Sequence, residues 1–107
     1  MSEEDLERDL ERLRRTYRGK LTGKLARLDF LLGEARRVTE REQLEAAREL
    51  AHTLKGTSGS YGFDELSAEF KGIEERLDHL LEGVSAGSAA AWKEIEQALK
   101  RARIACS

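Results

Sequence analysis

Apolar residues recur at helical intervals along almost the whole chain. Leu6, Leu10, Leu13, Tyr17, Leu21, Leu25, Leu28, Leu32 and Ala35 stand three or four residues apart, the spacing of one helix face. As a single helix this stripe would run for roughly 45 Å at 1.5 Å per residue, which is long for a small domain. Gly19 and Gly23 interrupt it, each at a cost of about 1 kcal/mol in a helix interior, and Thr22 can cap a new start. The pattern predicts a first helix over 3–20 and a second over 22–37. One bent helix, or a coiled-coil dimer built on the same stripe, stays open.

Thr39-Glu40-Arg41-Glu42 has the form of a capping box, with Thr39 at the cap and Glu42 three residues later. A further helix follows, with Leu44, Ala47, Leu50 or Ala51, Leu54 and Ser58 facing inward and His52 off that stripe. Gly62 is placed to stop it, and Asp64 to cap the next. That next helix turns Leu66, Phe70, Ile73, Leu77, Leu80 and Leu81 inward. Residues 82–88 read as a loop, with Ser85 or Ser88 as cap for a last helix over about 88–104 carrying Trp92, Ile95, Leu99 and Ala102. Trp92 and Phe70 read as core. The expected fold is all-α, an antiparallel four-helix bundle with an additional terminal helix, in one domain over 1–107.

Composition supports helices and narrows the chemistry. Ala, Leu, Glu, Arg and Lys dominate 107 residues that contain no Pro. The formal net charge is -2, and Glu flanks or interrupts most Arg clusters, so no nucleic-acid partner is expected. Cys106 has no second cysteine to pair with. No apolar run approaches the roughly 18 residues of a membrane span, and Ser2 to Asp5 is unlike a signal peptide. A cytoplasmic chain without membrane insertion is expected, a monomer in preference to a dimer.

The segment AHTLKGTSGSYGF, residues 51–63, concentrates the chemistry. His52 shares a helix face with Lys55, Gly56 and Gly59, three, four and seven residues on. Two glycines on that face ask for a reason: a second backbone passes close, or a partner must reach the imidazole. If the chain reverses around Phe63, His52 and Glu74 are equidistant from the turn. A carboxylate on one ring nitrogen fixes the tautomer and leaves the other nitrogen as a nucleophile. By the same count Lys71 lies level with Lys55. Two ammonium groups beside an imidazole suit a transferred phosphoryl group. His79, between Leu77 and Leu80, reads as surface, and the two histidines make a weak zinc case.

His52-Thr-Leu-Lys55-Gly56, with Ala51 before it and Ser58 and Gly62 after, resembles the signature of histidine-containing phosphotransfer (HPt) domains. Leu44-x-x-Ala47-x-x-x-Ala51 and the helical outline agree, and the resemblance covers about residues 17–81. Gly-Ser-Tyr-Gly-Phe63 resembles the version found in chemotaxis-type kinases. The resemblance implies that His52 is phosphorylated, that Lys55 meets the phosphoryl group or the partner, and that Gly56 keeps the approach clear. It also implies that Glu74 hydrogen-bonds the ring. The implied partners are a histidine kinase catalytic domain and the receiver domain of a response regulator. The chain would be a phosphocarrier, not an enzyme, with no stably bound cofactor; ATP and Mg²⁺ would come with the partners. Thr57-Ser58 departs from the small apolar residues frequent there, but hydroxyls can bond back to the preceding turn. A sensor-kinase dimerisation domain fits less well, since Thr53 follows the His and Pro is absent. A non-catalytic docking or dimerisation bundle is the alternative reading.

Overall fold

The computed structural model describes residues 2–38, 40–83 and 88–106. It contains four helices, α1 (Glu3–Val38), α2 (Arg41–Ser60), α3 (Asp64–Leu81) and α4 (Ser88–Cys106), and no strand among the described residues. They pack in a ring, α1 against α2 and α4, and α3 against α2 and α4. Cross-helix partners fix the directions. Between α2 and α3, Arg48 meets Asp78 and His52 meets Glu74. Between α3 and α4, Glu69 meets Arg101 and Arg76 meets Glu94. Between α1 and α4, Asp29 meets Arg103 and Arg36 meets Glu96. In each pair one number rises as the other falls by the same amount, so neighbours are antiparallel. The all-α antiparallel bundle is as the pattern predicts.

The helix count is corrected. Residues 3–38 form one continuous helix of 36 residues, not helices over 3–20 and 22–37, so α4 is the fourth member of the bundle and not an addition to it. Tyr17, Leu21, Leu25, Leu28, Leu32 and Ala35 are all buried along one stripe of α1. Burying a leucine is worth about 1.5–3 kcal/mol, more than the roughly 1 kcal/mol each glycine costs, and a break would throw the stripe out of phase. Gly19 and Gly23 lie on the exposed face, where an added Cβ meets nothing within 4 Å. We therefore expect Gly23→Ala to stabilise the protein by about 0.5–1 kcal/mol, read as a higher urea midpoint at unchanged m-value.

Phe70, Ile73 and Leu77 of α3, Leu54 of α2, Leu21 and Leu28 of α1 and Ile95 of α4 form the fully buried centre, with Trp92 in the same cluster. The turn after α2 sets α3 beside the His52 face. Gly62 takes φ +80°, its N–H bonds Gly59 O and the Phe63 N–H bonds Ser58 O. That is a Schellman motif with glycine at the left-handed position, and it stops α2 where the sequence places the stop. The caps differ. Phe63, not Asp64, is the boundary residue of α3, and Glu40 that of α2; neither makes a side-chain cap bond. Thr39 and Ser85, both proposed as caps, lie outside the described residues, and Ser88 is the first residue of α4.

An aromatic group ties this turn to α1. Tyr17 shares a hydrogen bond with Ser58 at 3.0 Å and stacks on Tyr61 at 4.7 Å between centroids. Arg14 Nε donates to Tyr61 O at 2.9 Å. The turn thus sits level with Tyr17, and α1 continues past it. Leu6, Leu10 and Leu13 on that projecting part are exposed, although they belong to the same apolar stripe.

Candidate functional site

The inward residues Ala47, Ala51, Leu54 and Ser58 set the rotation of α2. At about 100° per residue, His52 is turned to the edge of that face, towards α3. Its side chain is 58% exposed. On α3, Glu74 lies between Ile73 and Leu77 and is 7% exposed. A carboxylate this buried needs partners, and α2 supplies them. His52 Nδ1 lies 2.8 Å from Oε1, Lys55 Nζ 3.0 Å from Oε2, and Arg48 Nη2 3.6 Å from Oε1.

Burial pushes the Glu74 carboxyl up. The close contacts of Lys55 and His52 with it, and their charges, outweigh that and hold the group below its ordinary value of 4.5. Glu74 is therefore a carboxylate at neutral pH and can only accept. The proton between the two residues then sits on Nδ1, and in the neutral ring the lone pair is on Nε2. The arrangement orients the imidazole so that, in the neutral ring, the second nitrogen is available as a nucleophile, backed by a negative charge.

The two glycines on this face have different surroundings. At Gly56 an added Cβ meets nothing within 4 Å, and the residue is exposed. At Gly59 it would stand 3.3 Å from Ser67 Oγ, and Ser67 Oγ donates to Lys55 O at 2.9 Å. Gly59 therefore sits where α3 approaches α2 closely, which is the helix-crossing reason, whereas Gly56 leaves open space beside the ring. Lys71 is exposed and takes no part in the Glu74 network. His79 is likewise exposed. The hydroxyl of Thr57 bonds back to Thr53 O at 2.5 Å, and Ser58 goes to Tyr17, so both fit within the helix. Among the described residues no group of three or more His, Cys, Asp or Glu is placed to hold a metal ion.

Arg48 and Asp78 complete the network and were missed in the sequence. Arg48 Nε bonds Asp78 Oδ1, and that bond and charge hold the guanidinium firmly protonated. The signal was present. Arg48 is one turn before His52 and Asp78 one turn after Glu74, so the count that pairs 52 with 74 also pairs 48 with 78. An open depression runs beside His52 over these residues, with Arg41, Glu45 and Glu49 on its α2 side.

No helix among the described residues is long and apolar enough to cross a membrane. A family model described as "Hpt domain" matches residues 1–105. Neither a curated protein nor a solved structure matches the chain.

Proposed function

We infer that this chain, which belongs to the Hpt domain family, carries a phosphoryl group on His52 between a histidine kinase and the aspartate of a response-regulator receiver domain. The observation that carries this reading is the His52–Glu74 pair: an exposed imidazole whose Nδ1 is bound to a buried, charged carboxylate, which leaves Nε2, the lone-pair nitrogen of the neutral ring, for the phosphoryl group.

In transfer to the protein, Nε2 gives that pair to phosphorus in line with the departing group. The ring becomes positive as the bond forms, and Glu74 on Nδ1–H stabilises the charge. In the return direction the ring leaves as a neutral imidazole, and the phosphoryl group passes to a carboxylate. Lys55 offsets phosphoryl charge at the same face, and Lys71, level with it on α3, is a second cation in reach of the partner. ATP and Mg²⁺ belong to the partner domains. The chain positions the nucleophile and carries the group, so it acts as a phosphocarrier and not as an enzyme, in a cytoplasmic phosphorelay.

The half-exposed Leu6, Leu10 and Leu13 give the docking-module alternative its footing. Incubation with a phosphorylated receiver domain separates the two. A carrier gains acid-labile, base-stable phosphate on His52, and a pure scaffold gains none.

The open space at Gly56 yields a second expectation. In Gly56→Leu the new side chain meets no neighbour inside the bundle, and leucine is the better helix former by about 0.5–1 kcal/mol. The variant should keep or gain stability, yet exchange phosphoryl with a receiver roughly tenfold slower or worse, because it holds the partner's aspartate off line. Stopped-flow transfer rates equal to wild type would show that the partner does not approach over Gly56.

A further inference from the structure

Glu74 gathers more positive charge than orienting one ring requires. Its Oε1 is bonded to His52 Nδ1 at 2.8 Å and has Arg48 Nη2 at 3.6 Å, an ion-pair contact beyond hydrogen-bond reach. Its buried Oε2 has Lys55 Nζ at 3.0 Å but accepts no aligned hydrogen bond. The two cations are held differently. Lys55, one turn after His52, rests on a flexible stem without an aligned bond. Arg48, one turn before His52, is pinned from its far side by Asp78 through Nε. A planar guanidinium can serve two carboxylates at once; an ammonium on four methylenes is a movable point charge.

We propose that Arg48 is a positioning residue for phosphoryl transfer: it holds the Glu74 carboxylate on His52 while Lys55 leaves that carboxylate for the phosphoryl group. This rests on the phosphotransfer reading above. A phosphoryl group arriving at Nε2 brings negative charge to a face that already holds Glu74. Lys55 is the cation on that face able to turn towards it. When it turns, Glu74 loses one of its two fixed positive charges in a buried position, where an uncompensated charge is costly. Arg48, which Asp78 keeps in place, remains. With Arg48 removed, the carboxylate retains Lys55 and the phosphoryl group goes without its counter-charge.

The test uses phosphoramidate, a small phosphoryl donor that needs no partner domain. Nε2 forms the new bond to phosphorus, the reagent's P–N bond breaks, and ammonia leaves with that electron pair from the zwitterionic reagent. Label is mapped to His52 apart from His79. We expect Arg48→Gln to slow labelling of His52 about five- to tenfold and Arg48→Lys to recover only part of the rate, since an ammonium keeps the charge but cannot bridge Asp78 and Glu74 at once. Lys55→Gln should slow it similarly, and the double variant should be no slower than Lys55→Gln within about twofold, since both act through one charge. Helicity and the ¹⁵N signature of the Nδ1–H tautomer should be unchanged in Arg48→Gln, because Lys55 then stays on Glu74. Wild-type labelling by Arg48→Gln, slowing in the double variant equal to the product of the singles, or loss of the tautomer signature in Arg48→Gln would each overturn the proposal. If the wild-type protein takes no label at His52, the phosphotransfer reading falls first and this one with it.

Discussion

His52→Gln is expected to give a bundle with unchanged helicity that takes up no acid-labile, base-stable phosphate from a cognate kinase or phosphorylated receiver. The two halves of that result have separate causes. The imidazole projects from the edge of α2 with most of its surface in water, so its loss removes no core packing. Weakening its hydrogen bond to the Glu74 carboxylate costs about 1–2 kcal/mol, which leaves the bundle folded. Chemistry is lost outright because an amide nitrogen, its lone pair delocalised into the carbonyl, is no nucleophile. Gln still reaches Glu74 as a hydrogen-bond donor, so the network around it is disturbed little. His79 is the only other histidine, and His79→Gln should keep full labelling. A wild-type level of phosphate on His52→Gln would end the phosphotransfer reading.

Glu74→Ala should have the second largest effect. It removes the acceptor that fixes the tautomer and the negative charge that stabilises the ring as Nε2 bonds to phosphorus. We expect phosphorylation to slow about tenfold or more, short of the roughly 10²–10⁴ associated with a group that itself moves the proton. Glu74→Gln keeps an acceptor without the charge and should fall between wild type and Ala. Equal rates for all three would show that Glu74 has only a structural role. The charge also has a pH signature. Because the folded protein holds Glu74 below its ordinary value of 4.5, the carboxylate contributes stability that is fully present above that value. It is lost as pH falls through the lower folded value. Acid titration of the thermal midpoint should show this component in wild type and lack it in Glu74→Gln.

Much of this arrangement was legible in the chain. The three- and four-residue spacing specified which face of each helix is apolar, and so turned His52 off the core. Gly62 fixed the end of α2, and counting outward from Phe63 paired His52 with Glu74 across the turn. The same count reached Arg48 and Asp78, which went unread because Arg48 in a charge-rich helix looks like any solvated arginine. The cap at Asp64 follows from side-chain type alone, whereas α3 begins at Asp64 itself, after a boundary residue, Phe63, that makes no side-chain cap.

The sequence by itself determined which stretches are helical, their apolar faces and the place of His52 off the core, because those follow from periodicity and residue chemistry within one helix. Only the tertiary structure decided that α1 runs unbroken past Gly19 and Gly23, since that depends on what its stripe buries against α2 and α4. Only it separated Gly56, open to solvent, from Gly59, closed by Ser67. And only it gave Glu74 its state. Whether a carboxylate is buried, and how many cations reach it there, is set by the distance and rotation between two helices, which no spacing along one of them contains.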